Sequence, residues 1–108
     1  MSQPDTLNRI KSEIEGNKIV VFMKGTPDSP MCGFSSAVVQ LLKSHKYPFK
    51  GVDVLANPDI RETLPDYSDW PTFPQVFIDG KLVGGCDILH ELEESGELKK
   101  MLESTFKK

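Results

Sequence analysis

Cys32 is a single thiol at a position where redox chemistry would use a pair. Cys32-Gly33-Phe34-Ser35 puts a cysteine just ahead of an amphipathic helical pattern and a serine where a second cysteine would complete Cys-x-x-Cys. A dithiol there can close to an internal disulfide, whereas a lone thiolate holds a mixed disulfide, attacks an external substrate or ligates a metal. A cysteine of pKa near 8.5 is only about 3% thiolate at pH 7, and making most of it reactive takes roughly 2.7 kcal/mol of differential stabilisation. A helix N-terminus typically contributes ~0.3–1 kcal/mol and reaches ~2 in favourable sites, so a nearby cation or backbone N–H groups must supply the remainder. Lys24, at the end of an apolar run, is the candidate cation. The plainer reading of Cys32 is a buried structural thiol. Gly25, Pro27 and Pro30, just ahead of it, argue instead for an exposed loop-to-helix junction.

Other chemistry-bearing residues are sparse. Cys86 is the only other cysteine, and neither cysteine stands at zinc-finger spacing from another cysteine or a histidine. His45 and His90 show no ligand spacing and read as surface residues. Lys and Arg number 13 against 16 Asp and Glu, a net charge of −3 with both signs scattered, which argues against a nucleic-acid or anionic-membrane partner. Two cysteines are too few for a secreted disulfide scaffold, so a reducing compartment is expected. The longest apolar run, 19–23, is far too short to span a bilayer, and Met1-Ser2-Gln3-Pro4-Asp5 lacks the pattern of a signal or transit sequence. The expectation is a soluble, cytoplasmic protein whose residues 1–108 form one domain, although a processed organellar form would read alike.

The elements that must position Cys32 follow from periodicity. Leu7, Ile10 and Ile14 recur at helical spacing before Gly16-Asn17, and 18–23 reads as a strand buried on both faces. Residues 24–31 read as loop, and Phe34, Val38, Leu41 and Leu42 line one face of a second helix with Cys32 at its start. A second strand is expected at about 49–54. Asn57-Pro58 then supplies an N-cap and a first-turn proline for a short helix, which Pro65 helps to end. Strands at 75–78 and 81–83 flank Asp79-Gly80, a strong signal for a two-residue hairpin turn. Gly84-Gly85 leads into a helix near 87–93, and Leu98, Met101 and Leu102 mark a last helix after Gly96. A strand-helix-strand start and a hairpin end predict an α/β fold, one mixed four-stranded sheet flanked by about five helices.

This order resembles the thioredoxin fold, and Cys32-Gly33-Phe34-Ser35 narrows the resemblance to the monothiol glutaredoxins of the CGFS type. Lys24-Gly25-Thr26-Pro27, Asn57-Pro58-Asp59-Ile60-Arg61, Trp70-Pro71-Thr72-Phe73-Pro74-Gln75 and Gly84-Gly85-Cys86-Asp87 match in the expected order, as in the short, single-domain bacterial members. The resemblance implies glutathione as ligand. Lys24 and Arg61 would meet its glycyl carboxylate, and Asp87 with backbone N–H groups at Gly85 and Cys86 its γ-glutamyl end. It also implies a cis bond before Pro74, with Thr72 and Phe73 presenting backbone to the cysteinyl part and Trp70 and Pro71 forming one wall. Taken singly, Lys24 and Arg61 also read as solvated charges, Asp87 as a helix cap and Trp70 as packing. Cys86 reads as a packed small residue with a backbone contact, ahead of a resolving thiol.

A [2Fe-2S] cluster generally takes four thiolate ligands, and one protomer offers Cys32 alone. Cys32 and one glutathione make two, so the resemblance implies a cluster bridging a homodimer, with the apo form monomeric. Gly33 would allow close approach and Phe34 would shield the cluster, besides starting the helix core. The function implied is storage and transfer of the cluster to apo iron–sulfur acceptor proteins, with a BolA-like protein as exchange partner. The alternatives are a glutathione-dependent thiol–disulfide oxidoreductase of weak activity, which removes glutathione from protein thiols, and an adaptor that senses iron or redox state.

Overall fold

The computed structural model describes residues 3–107, so the polar start at Met1 and Ser2 lies outside the described residues. Helix α1 (Gln3–Gly16) leads into strand β1 (Ile19–Met23), every residue of which is buried. Two two-residue strands follow, β2 (Gly25–Thr26) and β3 (Ser29–Pro30), then α2 (Gly33–Ser44), β4 (Lys50–Asp53), α3 (Pro58–Ser68), β5 (Gln75–Ile78), β6 (Lys81–Gly84), α4 (Cys86–Ser95) and α5 (Glu97–Phe106).

The main sheet has the order β4-β1-β5-β6, with β1 parallel to β4, antiparallel to β5, and β5 antiparallel to β6. The fold is the expected mixed four-stranded sheet with five helices. Alternation along β1 explains its burial. Ile19, Val21 and Met23 face Val38, Leu42, Leu89 and Leu98 of α2, α4 and α5, whereas Val20 and Phe22 face Ile10, Ile14, Ile60 and Leu64 of α1 and α3. Asp79 (φ 54°) and Gly80 (φ 79°) both adopt the left-handed region, as a two-residue type I′ hairpin turn requires.

Three expectations change. Residues 24–31 are not plain loop but a small antiparallel hairpin, with Gly25 opposite Pro30 and Thr26 opposite Ser29. It is held down at several points. The Asp53 carboxylate accepts from the Gly25 N–H at 3.0 Å, and Gly51 of β4 leaves room for the Pro27 ring, since a Cβ there would come within 2.6 Å of Pro27 Cδ. Pro65 does not end its helix but stands inside α3, which runs on to Ser68. Pro65 forgoes the N–H that would reach the Arg61 carbonyl, yet the helix continues and closes at Asp69 (φ 56°), where the N–H groups of Asp69 and Trp70 both return to the Pro65 carbonyl. Phe34 does not belong to the core face of α2; it is 62% exposed, and the buried face runs Ser35, Val38, Val39, Leu42. Asn57 does hold the N-cap of α3, but its side chain is used elsewhere. Its Nδ2 donates to the Asp53 carbonyl at 2.9 Å and its Oδ1 accepts from Arg9 at 2.7 Å.

Candidate functional site

Strand directions gather the site. Because β4, β1 and β6 run the same way and β5 runs against them, the ends of β1, β4 and β6 and the start of β5 share one edge of the sheet. Lys24 follows β1, Pro74 precedes β5, and Gly85 follows β6, so segments far apart in sequence converge there. They enclose a cleft of about 690 Å³, a size usual for a small-molecule site. Lys24, Cys32, Arg61, Thr72 and Phe73 all line it, as do Pro74, Gly85, Cys86 and Asp87. Every site residue expected from sequence is therefore on one surface. Phe34, Trp70 and Pro71 line it too, and so do Pro65 and Ile88, which sequence reasoning had given no such place. A proline that punctuates a helix and an apolar residue within one carry no sequence signal for a site, so Pro65 and Ile88 come to it through the tertiary fold alone.

Cys32 is the N-cap of α2, with extended backbone (φ −152°, ψ 138°), and its thiol is half-buried. It makes no standard side-chain cap bond. Its pKa is nonetheless drawn below the ordinary thiol value, first of all by the backbone N–H of Ser35. Partial burial opposes this, and the Phe34 N–H, the charge of Lys24 and the Ser35 hydroxyl add to the lowering. Backbone dipoles at the helix start thus outweigh the cation that the sequence singled out. Cys86, first residue of α4, packs against the core beneath the sheet. Its pKa is raised, chiefly by burial, then by the charges of Asp87 and Cys32. The two thiols are thus shifted in opposite directions, Cys32 toward the thiolate and Cys86 away from it.

The remaining wall is built from the segment before β5. The Phe73–Pro74 bond is cis, as the resemblance implied. Gln75, fully buried, donates through Nε2 to the carbonyls of Trp70 and Thr72 and so fixes the chain just before that bond. Gly85 is the N-cap of α4, and a Cβ on it would lie 3.1 Å from the Pro74 carbonyl oxygen and 3.5 Å from Trp70 Nε1. That indole nitrogen is buried without a hydrogen-bond partner. His45, away from the cleft, is not a free surface residue; its Nε2 meets Glu93 Oε1 at 2.7 Å and ties α2 to α4. Among the described residues, no three His, Cys, Asp or Glu side chains gather into a metal-holding cluster. Among those residues, too, no helix is long and apolar enough to cross a membrane.

Residues 19–83 match the family model described as glutaredoxin. Glutaredoxin 4 of Pasteurella multocida is 52% identical over 98 residues, covering 91% of this chain and 90% of the relative. The chain belongs to the glutaredoxin family. A probable monothiol glutaredoxin 2 of Rickettsia felis is 51% identical over 102 residues, covering 94% of this chain and 98% of its own length. Similar solved glutaredoxins include reduced apo GrxS14 from poplar, with a TM-score of 0.81 at 47% identity, covering 99% of this chain and 95% of that one. The buckwheat glutaredoxin–glutathione complex matches with a TM-score of 0.85 at 27% identity, covering 95% and 92%. The single activated cysteine with Ser35 in place of a partner makes this glutaredoxin monothiol.

Proposed function

We propose that this glutaredoxin, acting as one domain over residues 1–108, binds glutathione in the cleft. As a pair of protomers it then carries a [2Fe-2S] cluster for delivery to apo acceptor proteins in the cytoplasm. The observation that carries this reading is the activated thiol of Cys32 on the same cleft as Lys24, Arg61, Asp87 and the first turn of α4. Glutathione has two carboxylates and one ammonium. Lys24 and Arg61 suit its glycyl carboxylate, while the N–H groups of Gly85 and Cys86 at the α4 start and the Asp87 carboxylate suit its γ-glutamyl end. The fit is supported by the bare Gly85, where a Cβ would crowd the wall, and by the backbone that Gln75 fixes from Trp70 to Thr72 for contact with the peptide at Phe73. Bound glutathione would supply a second thiolate beside Cys32.

The cluster is cargo. Among the described residues no three ligands gather, so a cluster would need thiolates from outside, and Cys32 plus glutathione from each of two protomers makes the four that a [2Fe-2S] cluster takes. The exposed Phe34 and the open surroundings of Gly33 leave the Cys32 edge accessible to a second protomer or to a BolA-like protein in its place. Anaerobic reconstitution with iron, sulfide and glutathione is expected to give a coloured dimer with thiolate-to-iron absorption, lost when glutathione is omitted or in Cys32→Ser. A colourless monomer from the intact protein would overturn the reading.

The activated thiol also favours a second reading, deglutathionylation. The Cys32 thiolate attacks the glutathione sulfur of a protein mixed disulfide and releases the protein thiolate. A second glutathione thiolate then attacks that sulfur, freeing Cys32 and forming glutathione disulfide. Turnover in a glutathione-coupled reduction assay is expected to be low; robust turnover abolished by Cys32→Ser would put this reading first.

A further inference from the structure

Ser35 occupies the place of the absent second cysteine, yet it is not idle. It is fully buried (0% exposed) in the first turn of α2. Its hydroxyl oxygen accepts a hydrogen bond from the backbone N–H of Lys24 at 3.2 Å. Lys24 is the first residue beyond β1, where the strand ladder has ended. Its carbonyl accepts from the Met31 N–H at 2.9 Å, and the next N–H, that of Gly25, is taken by the Asp53 carboxylate. Three successive backbone groups at Lys24 and Gly25 thus find partners on three different segments. Of these three contacts, the one to Ser35 ties Lys24 to the first turn of the helix that begins at Cys32, while Lys43 farther along that helix meets the Pro27 carbonyl.

We propose that Ser35 is a positioning residue for glutathione binding: its hydroxyl fastens the backbone of Lys24 to the first turn of the helix that carries the thiol. The inference rests on the glutathione reading above, in which Lys24 meets a carboxylate of the ligand. A hydroxyl suits the task because it offers lone pairs to an N–H in a space small enough for the first turn of a buried helix face. A cysteine at 35 would offer only a weak sulfur acceptor, and a sulfur paired with Cys32 would be drawn away from Lys24. The serine therefore replaces a resolving thiol with a hydrogen bond that holds the backbone from which the Lys24 cation projects. The plainer alternative is that Ser35 is only a small residue packed between α2 and β1, a role that alanine fills almost equally well.

A double-mutant cycle separates the two. Glutathione affinity is measured by NMR titration for the wild type, Ser35→Ala, Lys24→Met and the double variant. Ser35→Ala is expected to weaken binding about threefold to tenfold, the size of one hydrogen bond's net contribution, when Lys24 is present and to have little further effect when Lys24 is Met. Equal affinity of Ser35→Ala and wild type, or a loss that simply adds to that of Lys24→Met, overturns the proposal. Should Ser35→Ala not fold, amide exchange of the wild type decides: the Lys24 N–H is expected to be protected, and exchange at the rate of an open loop overturns the tie. A wild type that binds no glutathione defeats the functional reading instead, and Lys24 protection then judges the tie alone.

Discussion

Gln75 Nε2 lies 2.8 Å from the Trp70 carbonyl oxygen and holds the wall of the cleft from inside the core. The same nitrogen donates to the Thr72 carbonyl at 3.2 Å, so one buried amide spans the turn into Pro74. Gln75→Leu keeps the volume and takes this donor from the Trp70 and Thr72 carbonyls, but it also removes Gln75 Oε1, which is buried without a partner, so the expected cost is at the low end, about 1 kcal/mol. Urea denaturation is expected to show a midpoint lowered accordingly. Trp70 is the sole tryptophan, so its emission reports the wall directly and should shift to the red in the folded variant.

The two cysteines should react at different pH. Cys32 is held below the ordinary thiol pKa, chiefly by the Ser35 N–H, whereas burial first and then Asp87 and Cys32 hold Cys86 above it. For Cys32 the depressed value means that its thiolate contributes stability above the unfolded pKa, lost as pH falls through the folded value. For Cys86 the contribution is present below the unfolded pKa and lost as pH rises through the folded one. Alkylation by iodoacetamide, followed residue by residue by mass spectrometry as pH rises, is expected to modify Cys32 first. Equal rates near neutrality would contradict this.

Gly85 has an ordinary backbone (φ −106°), so alanine is allowed there by conformation and opposed only by what it meets. Gly85→Ala places a methyl 3.1 Å from the Pro74 carbonyl oxygen and beside the Trp70 indole. At a helix N-cap the change from glycine costs only a fraction of a kcal/mol to about 1 kcal/mol, so the fold should survive. Glutathione affinity is expected to fall about tenfold, measured by the same titration; unchanged affinity would remove Gly85 from the site.

Gly51→Ala tests the hairpin. Its Cβ would overlap the Pro27 ring, 2.6 Å from Cδ, and overpacking of this kind costs about 1–3 kcal/mol. The close overlap is with Pro27 of the hairpin, whereas Met23 Sδ of β1 would lie at ordinary contact distance, 3.4 Å. Amide exchange is therefore expected to quicken at Gly25 and Met31 while Val20 and Val21 keep their protection.

Much of this was legible in the sequence because the signals were local. The Asp79-Gly80 turn, the all-apolar β1 and the start of α2 at Cys32 each rest on residues within one turn or one strand of each other. Pro65 misled for the same reason: locally a proline stops a helix, but α3 runs on to Ser68 and closes at Asp69, in the left-handed region, with the N–H groups of Asp69 and Trp70 on the Pro65 carbonyl. The hairpin at 24–31 was missed because its strands are two residues long. What holds it, Asp53 at Gly25 and Pro27 over Gly51, comes from another part of the chain.

By itself the sequence determined the order of the five helices and the four strands of the main sheet, the motif around Cys32 and the set of residues expected at the site. Those depend on periodicity, turn chemistry and a matching succession of motifs. Only the tertiary structure decided that the dipoles of Ser35 and Phe34 act on the thiol together with Lys24, that Phe34 faces solvent, and that Ser35 points inward to hold the Lys24 backbone. Such relations join residues on different elements. They are set by strand order and by which side of a helix the core covers, and neither is written in any short stretch of chain.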